Sequence, residues 1–162
     1  MRKEIIIFCA LICLFSQVAF GFERLDYDVR SAGFGGVLTT GNNGMAGVGN
    51  PAGLAHVVAR EAGLERGSIY EGAVESQALT IVQPVGQLGT FAINFSQYGT
   101  EAAKNKTGSV AFGRAFGDYF AAGVQVNRLN VEDMSVSKAT GYSADLGLVL
   151  YLGQYLQMGY TA

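Results

Sequence analysis

The chain has a single histidine, His56, and a catalytic reading has to start there. A hydrolytic triad would bring a serine and an aspartate to that imidazole, yet no G-x-S-x-G elbow is present. One imidazole without clustered carboxylates is an equally poor metal site. Its neighbours Ala55, Val57 and Val58 place it at the end of a short structural helix. The run Gly47-Val48-Gly49-Asn50-Pro51-Ala52 has the spacing of a dinucleotide-binding G-x-G-x-x-A, but it follows a Gly/Asn-rich stretch where that chemistry requires a strand and a βαβ unit. Asp145 is the most pointed residue, because a carboxylate in an otherwise apolar strand at bilayer depth must face a wet lumen and find a donor or a cation. It is expected to orient a polar network, with a substrate contact as the alternative. The expectation is a protein that is not an enzyme, with no catalytic, cofactor-binding or metal-binding residues and no cofactor.

The elements that would carry Asp145 read as strands. Of 162 residues, 49% are hydrophobic and only 15% charged, with 23 Gly and 2 Pro. The charged share is well below the ~25% of an ordinary soluble domain, and glycine at this density argues against a helical bundle. The net charge of −2 comes from scattered residues, so no basic footprint for nucleic acid exists. Arg2 and Lys3, then the apolar run Ile5 to Phe20, then Ala19-Phe20-Gly21 form a charged region, a hydrophobic core and a small-residue cleavage site. Residues 1–21 therefore read as a signal peptide, too short in apolar length for the ~20 residues of a spanning helix. Both cysteines, Cys9 and Cys13, lie within it.

Past the signal, no apolar run is long enough for a membrane helix, so any insertion must use a closed barrel. From about Glu75 onward the residues alternate with period 2. In Leu88 to Tyr98, Phe91, Ile93 and Phe95 oppose Thr90, Asn94 and Ser96. In Tyr119 to Val131, Phe120, Ala122, Val124 and Val126 oppose Gly123, Gln125 and Asn127. In Thr140 to Tyr151, Tyr142, Ala144, Leu146, Leu148 and Leu150 oppose Ser143, Asp145 and Gly147. The face opposite the apolar stripe is small or weakly polar, where a soluble strand would expose charge. Tight turns are expected at Val85-Gly86-Gln87, Gly117-Asp118 and Gly153-Gln154, and longer polar loops at Gly99 to Lys106 and Glu132 to Lys138. That asymmetry is typical of outer-membrane barrels, whose short turns face the periplasm. Phe116, Tyr119, Phe120, Tyr151 and Tyr155 at the turns, and Tyr98 at a loop end, are expected to form aromatic girdles, and Arg114 to snorkel. Glu61, Glu65, Glu71 and Glu75 are read as solvated surface, a lumen-facing position on an early strand at about Ala59 to Ile69 being the alternative for two of them. A secreted soluble β-domain remains a competing architecture.

Before the strands lies Arg30-Ser31-Ala32-Gly33-Phe34-Gly35-Gly36, then Gly41 to Gly49, then Asn50-Pro51-Ala52-Gly53-Leu54-Ala55. Asn50 is a good N-cap and Pro51 a favoured first helical residue, so a short helix is expected to begin there. This arrangement resembles the start of PorV/PorQ-type proteins within the FadL-like superfamily of outer-membrane transporters. Val82-Gln83-Pro84-Val85-Gly86-Gln87-Leu88-Gly89-Thr90, Phe112-Gly113-Arg114-Ala115-Phe116-Gly117-Asp118 and Gly141-Tyr142-Ser143-Ala144-Asp145-Leu146-Gly147 resemble later hairpins and a strand of that family.

The resemblance implies an all-β, antiparallel transmembrane β-barrel of about fourteen strands, of which six to seven are present, with a Gly-rich N-terminal plug containing short helices. It divides the chain into a signal peptide (1–21), a plug (22–58) and the first half of a barrel (59–162), and the sequence is expected to be an N-terminal fragment, with completion by oligomerisation as the alternative. The plug motif would comprise Arg30, Gly33, Gly35, Gly36, Asn50, Pro51, Ala52, Gly53 and Leu54, and the lumen would present Asn94, Gln125, Asn127 and Asp145. The implied location is the bacterial outer membrane. The implied partners are outer-membrane lipids, the outer-membrane assembly machinery, and a hydrophobic small molecule in transit or a secreted cargo protein. The function expected is a transporter or channel for hydrophobic small molecules. The alternatives are a PorV-like protein that shuttles or anchors secreted proteins for type IX secretion, and a secreted soluble β-domain.

Overall fold

The computed structural model describes residues 40, 41, 44, 46–69, 71–100, 102–133, 138–153 and 156–162. Seven antiparallel strands follow one another in a single sheet: β1 (Glu61–Ile69), β2 (Val74–Pro84), β3 (Thr90–Gly99), β4 (Ala103–Phe116), β5 (Phe120–Asp133), β6 (Ala139–Leu152) and β7 (Leu156–Thr161). Each pairs only with its sequence neighbours, so the sheet is an up-and-down meander curled into a half-barrel. Before it come one helical turn, α1 (Ala46–Gly49), and a 3-10 helix (Pro51–His56). The residues expected in the signal peptide, and Arg30, Gly33, Gly35 and Gly36, lie outside the described residues.

The meander follows from the turn chemistry. Gly117 and Gly153 sit at φ 67° and 73°, a left-handed conformation that side chains resist, so the chain reverses there at little cost. Because strand side chains alternate, the register then sorts them into two faces. The inner face, which carries the 3-10 helix, holds Thr80, Val82, Thr90, Ala92, Asn94, Ser109, Ala111, Ala121, Gln125, Asn127 and Val149, all buried. The outer face holds the large apolar residues. Val110, Val126 and Leu146 remain 57%, 58% and 60% exposed, while Gln125 and Asn127 are only 2% and 3% exposed. This is the reverse of a soluble sheet, which turns its large apolar side chains towards a core.

The outer residues align across strands. Ile81, Ile93, Val110 and Val126 form one cross-strand row, and Phe91, Phe112, Val124 and Leu146 the next. Towards the other end of the strands the apolar rows stop at Gln77, Gln97, Lys106, Asn130 and Thr140, a wholly polar row.

Two expectations are corrected. The longer loop expected over Gly99 to Lys106 does not form: β4 begins at Ala103 and only residues 100–102 connect β3 to it. Lys104 and Lys106 pair in the ladder opposite Glu132 and Asn130, because a polar stretch whose backbone bonds are satisfied by a neighbour need not leave the sheet. Similarly, the loop expected from Glu132 begins after Asp133, so the connections at the two ends are of similar length. The second correction concerns the girdle. Phe116 and Phe120 stack at 5.1 Å on the outer face, but Tyr98 and Tyr151 have inner-face parity. Tyr98 pairs with the buried Ser76, and Tyr151 meets His56 edge-on at 4.8 Å. Tyr155 lies outside the described residues.

Candidate functional site

The inner face is built around Asn50. Its backbone is extended (φ −140°, ψ 108°), and its side-chain oxygen accepts a hydrogen bond from the Ala52 N–H at 3.0 Å, capping the helix that Pro51 opens. The helix is 3-10, a single tight stretch of six residues. The cap also acts at long range, since Asn50 Nδ2 donates to the Leu148 carbonyl at 3.3 Å and the Tyr160 carbonyl at 3.5 Å. Asn50, Pro51, Ala52, Gly53 and Leu54 are all buried.

What the helix lies on is a row of glycines. Gly113, Gly123 and Gly147 are opposite one another on β4, β5 and β6. A Cβ on Gly113 or Gly123 would collide with the backbone of Pro51, and one on Gly147 with Asn50 Oδ1. Helix and sheet therefore approach to backbone contact along this row. On one side Leu54 and Val57 pack with Val82, Ala92 and Ala111; on the other Ala52 packs with Ala121 and Val149. Thr90 Oγ1 donates to the Val57 carbonyl at 3.2 Å, and the Gly44 N–H to Glu61 Oε2 at 2.9 Å. Glu61 and Glu65 thus have inner-face parity on β1, with Glu61 exposed and Glu65 half-buried.

Beside the helix lies the polar cluster that contains the expected residues. Asn127 Nδ2 donates to Asp145 Oδ2 at 2.8 Å and to Ser143 Oγ at 3.0 Å. Gln125 Nε2 donates to Asn127 Oδ1 at 2.8 Å, to Asp145 Oδ2 at 3.2 Å and to the Val48 carbonyl at 3.5 Å. The carboxylate is thus held by two amides. Asn94 is in the same cross-strand row as Asn127 but two strands away, with Ser109 between them. It accepts from Thr80 Oγ1 at 2.8 Å and does not reach Asp145. Asn94 Nδ2 and Ser109 Oγ, both buried, make no hydrogen bond among the described residues.

Sequence reasoning named Asn94, Gln125, Asn127 and Asp145 but missed Thr80, Ser109 and the glycine row as a unit. The signal was available for the glycines, since all three have the parity of the small face. Among the described strand residues every Lys and Arg is on the outer face, whereas Glu61, Glu65 and Asp145 are on the inner one. The inner lining therefore offers amides, hydroxyls and carboxylates, a surface that attracts donors and cations. Among the described residues no three His, Cys, Asp or Glu come together to hold a metal ion. No family model, no curated protein and no solved structure matches the chain.

Proposed function

We propose that these strands belong to a β-barrel spanning the bacterial outer membrane, that residues 22–58 act as a plug in its lumen, and that the barrel is a passive transporter for small molecules of largely apolar character. The observation that carries the reading is the inversion of faces: large apolar side chains point outward and stay exposed, while amides, hydroxyls and glycines point inward and are buried. An apolar face of this extent on a soluble monomer would be an association hazard. In lipid it is the required exterior.

The dimensions agree. From Gly108 to Phe116 on β4 the apolar rows run about 27 Å along the strand at ~3.4 Å per residue. At the ~35–45° tilt of membrane barrels that projects to about 20 Å, near the ~25 Å apolar band of the class. The only outer-face charge inside this span of β4 is Arg114, whose guanidinium lies 5.5 Å from the Phe116 ring centroid, at the turn end where it can snorkel. A seven-stranded sheet leaves the edges of β1 and β7 open, so the reading requires further strands to pair them.

The test uses the full-length protein expressed with its own leader. Membrane fractions should contain it, and its gel mobility should change on heating, as it does for folded barrels. Recovery in the soluble periplasm with one mobility would sink the proposal. Transport is read separately, by uptake of apolar solutes into vesicles containing the protein. Membrane insertion without uptake, together with co-purification of secreted proteins sharing a C-terminal domain, would favour a shuttle for secreted cargo instead.

A further inference from the structure

We infer that the outer face carries a binding site for the headgroup phosphate of an anionic membrane lipid, centred on Arg128 and Lys106. The inference rests on the membrane-spanning reading. Gly108 is the cause of the site: on β4 it lies between Phe95 of β3 and Arg128 of β5, so the row lacks a side chain at that position. A depression of about 430 Å³ results, walled by Leu79 and Phe95 on the apolar side and by Gln97 and Lys106 on the polar side. The Phe95 ring borders the gap, 3.6 Å from where a Cβ on Gly108 would stand, an ordinary contact that leaves room for that Cβ.

The charges fit an anion. Arg128 makes no ion pair or hydrogen bond among the described residues, although it sits at the last apolar row, where an unneutralised guanidinium is costly unless it reaches the headgroups. Lys106, one row further out, is 2.8 Å from Glu132, which is also 3.6 Å from Lys138. One carboxylate shared by two ammonium groups leaves that cluster positive. On the outer face at this end, Arg66, Lys104, Lys106 and Arg128 stand against Glu75 and Glu132. Across two strand spacings of ~4.8 Å the gap is wide enough for a phosphate, and a guanidinium fork binds phosphate oxygens in bidentate fashion. The exposed Phe95 and Val110 continue from the depression into the apolar band, a track for the lipid's acyl chains. A free anion would have no use for that track, which is why the occupant assigned is a lipid.

The experiment takes the full chain extracted from membranes and titrates it by native mass spectrometry with phosphatidylglycerol, phosphatidylcholine and inorganic phosphate. Phosphatidylglycerol should bind about tenfold more tightly than phosphatidylcholine, and Arg128→Ala should remove about that factor, the scale of one charge-assisted contact. Gly108→Leu keeps both cations and fills the depression, so it should cause a similar loss. Because that position faces outward with room for a side chain, the variant should fold. Arg114→Ala, a cation at the opposite end, should leave binding unchanged. Equal losses from Arg128→Ala and Arg114→Ala would reduce the effect to general surface charge and overturn the site. Displacement of the lipid by equimolar inorganic phosphate would overturn the lipid assignment. Heat-modifiable mobility of the same samples reads the barrel independently, so a true barrel without lipid preference refutes only this inference.

Discussion

The side-chain oxygen of Asn50 occupies the place where a Cβ on Gly147 would stand. A residue that caps a six-residue helix is thereby seated on the backbone of a strand almost a hundred residues later, and the same asparagine donates to the carbonyl of Leu148. The inner lining is set by this contact, and two predictions follow directly from it.

Gly147→Ala should destabilise the protein, because the added methyl collides with a buried polar atom and with the Ala52 amide and cannot be relieved by rotating a flexible side chain. Overpacking of this kind costs about 1–3 kcal/mol. It would be measured as a fall in the temperature at which folded mobility is lost on gels. Gly117→Ala provides a contrast: space is open there, and the cost comes only from its positive φ. No shift for Gly147→Ala would mean that helix and sheet are not in backbone contact.

Asn50→Asp and Asn50→Ala should separate the two roles of this side chain. Aspartate keeps the acceptor for the Ala52 N–H but loses the donor to Leu148 and brings an unpaired charge to a buried position. Alanine loses both, at about 1–3 kcal/mol for a cap and a buried bond together. If long-range anchoring is the larger role, aspartate destabilises at least as much as alanine; a simple capping role would leave aspartate close to wild type.

Asp145→Asn should perturb the lining more than its size change implies. Asp145 Oδ2 accepts from both Gln125 and Asn127, and an amide nitrogen placed there would face two donors. The amide can instead turn its oxygen to that position and keep both contacts, so the loss is the charge assistance of two hydrogen bonds, about 1–2 kcal/mol. An unchanged temperature for loss of folded mobility would mean that the carboxylate does not hold the two amides in place.

Val126→Lys tests the environment of the outer face. On a solvated surface the change would fall within about 0.5 kcal/mol of neutral. Facing the interior of a bilayer it should cost about 2–4 kcal/mol, and Asn130→Lys, in the polar row, should cost little. Equal, small effects at both positions in a urea titration would argue for water on both.

Glu132 lies beyond the apolar band, where the hydrogen bond and charge of Lys106, assisted by Lys138, hold its carboxyl below the usual value of 4.5. A lowered folded-state value means that the carboxylate form supports the fold above about pH 4.5. That support is lost as the pH falls through the lower folded value. Wild type and Glu132→Gln should therefore differ at neutral pH and converge in acid, and the difference should shrink in high salt because the pair is partly exposed. A difference that persists in acid would assign the effect to something other than this ion pair.

Alternation, turn chemistry and the Asn50-Pro51 start were all legible in the sequence, because each is a local property. A period of two sorts side chains into stripes, glycine permits a reversed turn, and asparagine before proline caps a helix. The early strand Glu61–Ile69 and the three later strands appear close to where the pattern places them. Loop lengths were less legible, since Lys104 and Lys106 read as loop residues until β5 supplies a partner for their backbone.

The lack of charge opposite the apolar stripe already pointed to the small face as the inner one, but the tertiary structure alone decided what meets there. The helix seated on Gly113, Gly123 and Gly147 makes the small face the interior. The contacts that matter, Asn50 to Leu148 and Asn127 to Asp145, join residues far apart in the chain through a register that a one-residue slip would invert. Sequence carries the period of each strand, but register is a relation between strands and exists only once they are paired.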